Sequence, residues 1–195
     1  MSLITVAEYK QYKNIENNDN DALILPIINA AEAWLNSKCN RTLVATSDST
    51  RYFDSYSECV DGDTLIFDHV IASITTITID GTELTSSEYV TNPRNTSPYY
   101  EVIIKRSVSK TWQDDNAVGD YVAEDAIAVI GKWGYYSSAD EYLKQMMKRL
   151  VDFAFTQKDA GAFETIAIPS AGVIETPSGF PRDVVDFVLK HRSLE

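Results

Sequence analysis

The residues able to act as acids, bases or nucleophiles are few, and their spacing matches no catalytic motif. The two histidines are His69, which follows Asp68, and His191, and no serine or cysteine lies in a nucleophile context such as GxSxG. We therefore interpret His69 as a structural residue, although histidine is the side chain best suited to proton transfer near neutral pH. The sequence predicts no catalytic residue.

The residues that could hold a metal or a cofactor are equally sparse. Asp61 and Asp63 lie in a turn-like stretch, without the apolar surroundings that would raise the pKa of a carboxyl group. Gly131-Lys132-Trp133-Gly134 has neither the GxGxxG nor the Walker spacing of a phosphate-binding loop. Cys39 and Cys59 form no CxxC pair, so two buried thiols are favoured over a disulfide. We expect neither a metal nor a cofactor.

Acidic residues dominate the charge of the 195-residue chain, with 29 Asp and Glu against 17 Lys and Arg and a net charge of −12. This balance argues against a protein that grips nucleic acid, because such proteins neutralise phosphates with a basic stripe. The negative charge is consistent with a surface that keeps the protein soluble. It is also consistent with a protein past which DNA moves without being bound. No apolar run approaches the roughly 18 residues that span a bilayer, and the N-terminus lacks a signal-peptide pattern. We therefore expect a cytoplasmic protein with no membrane contact.

Helical periodicity is concentrated towards the two ends of the chain. Apolar residues recur at steps of three and four within 5–40, 138–160 and 181–192, which predicts a helical core built from these segments. The longest helix is amphipathic, and Ser138 with Glu141 has the spacing of a capping box at its start. The last helix is short, and its predicted apolar stripe consists of Val184, Val185, Val188 and Leu189.

Between the helical segments the apolar period changes to two residues. Residues 71–79 alternate and lead to Asp80-Gly81, the dipeptide most typical of a tight β-hairpin turn. Similar alternation across 50–135 predicts a small, mostly antiparallel β-sheet inserted in the helical core. The predicted fold class is therefore α+β, with N-terminal helices, the β insertion, a long amphipathic helix and a short C-terminal helix. The length suits a single domain spanning 1–195.

A corner between the last strand and the long helix contains Gly131, Trp133, Gly134 and Tyr135. The two glycines are predicted to allow the turn, because glycine has the widest backbone freedom. The two aromatic residues are predicted to lock the sheet against the long helix. We interpret this corner as structural rather than as a ligand site.

Residues 163–179 are rich in Ala, Thr, Pro, Ser and Gly and contain only short apolar runs. A flexible arm or a hairpin-like extension would leave these apolar residues without a core of their own. We therefore predict that a partner covers them. The candidate contact residues are Phe163, Ile166, Ile168, Val173 and Ile174.

Several tyrosines are predicted to lie on the surface, where they favour contact with another protein chain. They are Tyr52, Tyr56, Tyr99, Tyr100, Tyr135 and Tyr136. Stacking of nucleic-acid bases on these rings is disfavoured because basic neighbours are sparse.

Four stretches in a fixed order carry a family resemblance. They are Ile4-Thr5-Val6-Ala7-Glu8-Tyr9-Lys10, then Asp21-Ala22-Leu23-Ile24 leading to Ala30-Ala31-Glu32-Ala33-Trp34-Leu35, then Thr50-Arg51-Tyr52-Phe53-Asp54, and Gly131-Lys132-Trp133-Gly134-Tyr135 before the long helix. In this order they resemble the head–tail connector, or adaptor, proteins of tailed bacteriophages and prophages. The resemblance covers residues 4 to about 158, whereas 163–179 matches no pattern of that family.

The resemblance implies a structural protein, found in the virion neck after assembly in the host cytoplasm. It implies a homo-oligomeric ring, twelve copies in the virion, docked beneath the portal protein. Such a ring extends the DNA channel, through which DNA passes without specific binding, and supports a head-closure or tail protein. The arm 163–179 would then contact neighbouring copies or the portal. Two alternatives stay open: a head-closure or tail-completion protein of the same neck and, least favoured, a metal-dependent hydrolase using Asp61 and Asp63.

Overall fold

The computed structural model describes residues 2–112, 124–160, 165–168, 172–175 and 179–193. Within them the helices are α1 Val6–Lys13, α2 Asp21–Cys39, α3 Glu141–Ala160 and α4 Arg182–His191. The strands are β1 Ser49–Phe53, β2 Val60–Asp61, β3 Thr64–Ile71, β4 Ser73–Ile79, β5 Thr82–Glu83, β6 Tyr89–Asn92, β7 Tyr99–Ile104, β8 Ile127–Lys132, β9 Thr165–Ile168 and β10 Gly172–Glu175. The predicted α+β class is confirmed.

The chain divides into two compact units. The helical unit combines Met1–Arg41 with Ala139–Glu195, and the β unit is the intervening Thr42–Ser138. In sequence, the β unit is thus inserted between the two halves of the helical unit. The organisation of 1–195 as a single domain stays a prediction.

Local capping interactions set the ends of the first two helices. Thr5 precedes α1, and its Oγ1 accepts the backbone N–H of Glu8 at 3.1 Å while the Glu8 carboxylate accepts the N–H of Thr5 at 2.7 Å. Both α1 and α2 end at an asparagine, Asn14 and Asn40 respectively, in the left-handed conformation. Each of these ends follows from residues close together in the sequence.

The long helix α3 is capped by Asp140. Its Oδ1 accepts the backbone N–H of Leu143 at 2.7 Å, which satisfies one of the free N–H groups of the first turn. The predicted capping box starting at Ser138 is therefore wrong, because the aspartate nearer to the helix supplies the acceptor. Further along, α3 buries Leu143, Met146, Met147, Leu150 and Val151.

The short helix α4 packs through Val184, Phe187 and His191, which are all buried. The His191 ring stacks on Phe187 with centroids 4.1 Å apart, and its Nδ1 donates to the Phe187 carbonyl at 2.9 Å. The predicted stripe is wrong for Val185 and Leu189, which are 40% and 67% exposed. Steps of three and four residues from Val184 lead to Phe187 and His191, and these set the buried face.

The described residues of the β unit form two four-stranded antiparallel sheets where a single small sheet was predicted. Their strand orders are β1-β8-β4-β5 and β2-β3-β7-β6. Asp80 and Gly81 join β4 to β5 with left-handed φ angles of 47° and 73°. The predicted hairpin turn at this dipeptide is therefore confirmed, since such turns require positive φ.

The core of the β unit is made almost entirely of aliphatic and aromatic side chains. Its buried residues are Phe53, Leu65, Phe67, Ile71, Ile77, Leu84, Val102, Ile104, Trp112, Ile127, Val129 and Trp133. Trp112 is fully buried, and its Nε1 donates to the carbonyl of Asp63 at 2.7 Å. The buried Trp112 N–H is thus hydrogen-bonded, as buried polar groups generally are.

Candidate interaction site

The residues with catalytic or metal-binding potential are dispersed. Across the described ranges, no group of three or more His, Cys, Asp or Glu side chains is placed to hold a metal ion. Asp61 ends strand β2 and Asp63 lies in the turn to β3; both are exposed, and Asp63 Oδ2 lies 3.9 Å from Arg106 Nε. This geometry is that of a solvated hairpin turn.

Among the described residues, the histidine and cysteine side chains also form no nucleophile–base arrangement. His69 Nδ1 lies 3.0 Å from Arg51 Nη1 and 3.3 Å from Asp68 Oδ2, at an exposed position. Since a guanidinium only donates, the His69 nitrogen accepts from Arg51. Cys39 and Cys59 are both free, and burial raises the pKa of the Cys39 thiol. Burial therefore favours the neutral, less reactive thiol.

The glycines of the strand–helix corner are required by close backbone approach. A Cβ at Gly131 would lie 2.2 Å from the Ser73 carbonyl oxygen, across the β4–β8 pairing. A Cβ at Gly134 would lie 2.8 Å from the Ala45 backbone nitrogen. Neither glycine has a positive φ angle. These positions therefore require glycine because there is no space for a side chain, and not because of the backbone freedom that the sequence suggested.

Trp133 fastens this corner into the core of the β unit and is only 6% exposed. Its ring meets Phe67 edge-on at 5.2 Å and Phe53 at 6.1 Å between centroids. Its Nε1 donates to the Ser49 carbonyl at 3.0 Å, and the Arg51 guanidinium lies 5.0 Å from the ring centroid. The side chain therefore ties β8 to β1 through packing, a hydrogen bond and a cation–π contact.

Tyr135 continues the corner through its backbone. Its N–H donates to the Thr42 carbonyl at 3.0 Å, and the N–H of Tyr136 donates to the Leu43 carbonyl at 2.7 Å. The two tyrosine rings meet edge-on at 4.8 Å between centroids. Residues near the start of the β unit are thus hydrogen-bonded to residues near its end.

An apolar groove lies between α2 and α3 in the helical unit; we call it the α2/α3 groove. Its lining residues are Ile27, Ala30, Ala31, Trp34, Leu150, Phe153, Ala154 and Phe180, and its volume is about 300 Å³. Phe180 stacks on Trp34 at 4.5 Å and meets Phe153 at 5.0 Å between centroids, yet remains 43% exposed. The groove is open and apolar, as expected of an interaction surface. Phe180 was not predicted from the sequence. Its only sequence signal is that an aromatic residue stands directly before Pro181, which precedes α4.

The predicted arm contains the strands β9 and β10, which pair antiparallel with each other. Ile166 and Ile168 lie in β9, and Val173 and Ile174 lie in β10. The register places Ile166 opposite Ile174. Phe163, the fifth candidate contact residue, lies outside the described residues. A partner for these residues stays a prediction.

Further exposed apolar side chains occur in each unit. Among the tyrosines predicted to lie on the surface, Tyr52 is 60% exposed on β1, an edge strand, and Tyr56 and Tyr100 are 48% and 46% exposed. The other three, Tyr99, Tyr135 and Tyr136, are half-buried because they pack along the sheet and the corner. Exposed aromatic residues of this kind are enriched in protein interfaces.

The negative charge is concentrated in the β unit. Residues 42–138 contain 15 acidic and 6 basic residues, a net charge of −9, and the helical unit carries the remaining −3 of the chain's −12. One β-unit carboxylate, Glu88, accepts Lys110 Nζ at 2.8 Å and the Thr85 N–H at 2.7 Å. These partners lower the pKa of Glu88 to about 2, with the Lys110 hydrogen bond the largest cause.

The fold resembles solved structures of gene transfer agent particles, although no curated protein sequence matches the chain. The neck of a native gene transfer agent particle, computed with C12 symmetry, superposes with a TM-score of 0.54 at 12% identity, covering 99% of this chain and 90% of that one. The neck of an empty particle, computed with C6 symmetry, gives 0.52 at 13%, covering 99% and 91%. The virion of the native particle gives 0.54 at 13%, with the same coverage. The chain thus has the fold of a neck component.

A family model then identifies the chain more closely. The model of the head completion protein family matches residues 2–193. The chain therefore belongs to the head completion protein family, and its role lies in head completion at the head–tail neck of a phage-like particle. In the described part of the chain, no helix is both long and apolar enough to cross a membrane.

Proposed function

We propose that this protein is a structural connector of the neck rather than an enzyme. Twelve copies assemble as a ring beneath the portal, extend the DNA channel and join the head to the tail. The observation that carries the proposal is a likeness over 99% of the chain to a neck structure computed with C12 symmetry. The dispersal of histidine, cysteine and carboxylate side chains in the described ranges supports a structural role, because catalysis requires such groups to converge.

The surfaces of the helical unit support assembly into a closed ring. A cyclic ring of more than two copies is built from heterologous contacts, so each copy needs two different surfaces that fit each other. The α2/α3 groove is apolar and open and is proposed as one such surface, and the arm 163–179 is the proposed contact segment. Phe163, Ile166, Ile168, Val173 and Ile174 are the arm residues proposed to contact a neighbouring copy or the portal.

The acidic β unit supports the passage of DNA without specific binding. Its net charge of −9 repels phosphates, whereas a DNA-binding protein would neutralise them and release counterions. A ring that bound phosphates along the channel would slow the movement of DNA. The protein would reside in the virion neck after assembly in the host cytoplasm, with a head-closure or tail protein below it.

Reconstitution with the portal protein of the same particle tests this function. Electron microscopy of the mixture should show the protein as a ring stacked coaxially on the portal. The protein alone, mixed with linear DNA, should give no shift in electrophoretic mobility at physiological salt. Failure to associate with the portal would contradict the proposal.

The same reconstitution separates the connector from another neck protein. A head-closure or tail-completion protein would leave the isolated portal unbound and associate only with a portal that already carries its connector. Direct binding to the isolated portal therefore favours the connector. The family description, head completion, is compatible with a head-closure or tail-completion protein as well.

A further inference from the structure

Strand β8 is apolar on both faces of its sheet. Ile127 and Val129 are buried in the core of the β unit. Ala128 and Ile130 alternate with them, so their side chains lie on the opposite face, where they are half-buried. An antiparallel sheet face that borders water typically carries polar residues, whereas a strand that is apolar on both faces is typical of a sheet covered on both. This pattern indicates that another surface covers the outer face of β8.

The register of the β1-β8-β4-β5 sheet defines the rest of this outer face. Directly paired residues of neighbouring antiparallel strands have their side chains on the same face, and both Ala128 and Ile130 are paired with β1 on one side and β4 on the other. Glu83 and Lys132 lie at the margins of this face. The uncharged residues between them, which we call the first outer face, are Thr50, Tyr52, Thr76, Thr78, Ala128 and Ile130.

The β2-β3-β7-β6 sheet has a second outer face of similar chemistry. In β7, Ile103 lies between the buried Val102 and Ile104, so its side chain points away from the core. Ile66, on the neighbouring strand β3, is 43% exposed. The register of the sheet and the two-residue period of its strands group four residues, which we call the second outer face: Thr64, Ile66, Val90 and Ile103.

The acidic residues of the β unit lie outside these two faces. Most of its carboxylates that the structure describes lie in loops or at strand ends. Asp68 and Glu101 lie within strands and border the second outer face. Asp68 forms an ion pair with Arg51, and the Glu101 carboxylate accepts a hydrogen bond from the Asn92 amide. Both carboxylates are thus engaged within the chain, and the two faces themselves contain no charged side chain.

We propose that the first outer face of one copy packs on the second outer face of the next copy. This inference rests on the proposed ring and names a contact within it. A cyclic ring places the β unit of every copy at the same height and radius, so the β units form a ring of their own. Two units that each carry a net charge of −9 repel each other, and this repulsion is smallest where uncharged faces meet. Sheets pack face to face through such side chains, and two different faces give the heterologous contact that a ring requires.

Two threonines provide a matched test of the first outer face. Thr46 and Thr50 are both exposed and lie four residues apart, but only Thr50 belongs to the face. Thr50→Glu should raise the protein concentration needed for ring assembly on the portal by about tenfold or more, because the contact would bury an unpaired charge. Thr46→Glu makes the same change of size and charge and should assemble like the wild type. Ile66→Glu should impair assembly as Thr50→Glu does, through the second outer face.

A double-mutant cycle tests whether the two faces meet. In the same assembly assay, the loss caused by Thr50→Lys with Ile66→Glu should be smaller, by about fivefold or more, than the product of the two single losses, because opposite charges in one contact attract. Thr46→Lys with Ile66→Glu is the control, and its losses should multiply. Losses that also multiply for Thr50→Lys with Ile66→Glu would show that the two faces lie in separate contacts, and would overturn the proposal.

The outcomes separate this contact from the proposed function. A wild-type protein that forms no ring on the portal would overturn the ring itself. A wild-type ring, together with folded Thr50→Glu protein that assembles equally well, would overturn the contact between the faces and leave the ring intact. Circular dichroism identifies misfolding. If Thr50→Glu misfolds, Tyr52→Glu takes its place, because Tyr52 belongs to the same face and is 60% exposed.

Discussion

Removal of the Trp133 side chain should destabilise the β unit strongly. The side chain is 6% exposed and contacts two phenylalanines, Phe53 and Phe67. Truncation of a buried aromatic residue to alanine costs about 3–5 kcal/mol of unfolding free energy. The lost hydrogen bond to the Ser49 carbonyl and the lost cation–π contact with Arg51 place Trp133→Ala in the upper half of that range, about 4–5 kcal/mol.

Two further variants show whether the cost comes from burial and the hydrogen bond. Trp133→Phe keeps an aromatic ring in the core but loses the indole N–H, so it should cost about 1–2 kcal/mol. Tyr52→Ala removes a 60% exposed ring from the neighbouring strand β1 and should change the unfolding free energy by less than about 1 kcal/mol. The expected order of stability is wild type and Tyr52→Ala, then Trp133→Phe, then Trp133→Ala.

Urea unfolding followed by far-ultraviolet circular dichroism measures this order. Dichroism is preferred to tryptophan fluorescence because the variants change the number of tryptophans. Since small domains unfold with about 5–15 kcal/mol, the alanine variant should approach the limit of stability. A folded Trp133→Ala protein within about 1 kcal/mol of the wild type would refute the reasoning, because truncating a buried, hydrogen-bonded ring cannot be so inexpensive.

Three further predictions concern the corner, the cap of α3 and an acidic side chain. Gly131→Ala should cost about 1–3 kcal/mol in the same urea assay, because its Cβ would lie 2.2 Å from the Ser73 carbonyl; an unchanged midpoint would contradict the close approach. Asp140→Ala should cost about 0.5–2 kcal/mol whereas Ser138→Ala should cost almost nothing, and the reverse order would restore the predicted cap. Glu88→Gln should destabilise the protein above pH 4.5, where the wild-type carboxylate is ionised in both folded and unfolded chains. Because folding lowers the pKa of Glu88 to about 2, the difference should shrink as pH falls from 4.5 towards 2, and a difference independent of pH would contradict the shift.

Features fixed by neighbouring residues were predictable from the sequence. The capping box of Thr5 and Glu8, the terminal Asn40 of α2 and the Asp80-Gly81 turn each depend on residues at most four apart. Their side chains and backbone preferences act locally, so the surrounding structure has little opportunity to override them.

Features that depend on distant segments were not predictable in the same way. The division of the inserted strands into two sheets arises because β8 pairs with β1 and β4 from far along the chain, and periodicity alone carries no information about that choice. The buried face of α4 was misassigned for a related reason. Val184, Phe187 and His191 have the spacing of a buried stripe, but the polarity of histidine hides its place in an apolar face.

The candidate interaction site shows the same division. The apolar content of 163–179 indicated a contact segment, and the sequence placed Trp34 and Phe153 on helices. The α2/α3 groove was missed because it forms only where α2, α3 and Phe180 meet, and these elements are far apart in sequence. At the corner, the sequence marked Gly131 as special but suggested backbone freedom, whereas the cause is a strand that passes too close for any side chain.

The stoichiometry of the complex with the portal tests the central proposal most directly. Native mass spectrometry of the purified protein mixed with the portal should give a complex whose excess mass corresponds to twelve copies of the 21.8 kDa chain per portal ring. The same complex should lose its excess mass in discrete single-chain steps on activation. A spectrum that shows only free portal and free chain, at concentrations well above those of assembly in the cell, would contradict the ring.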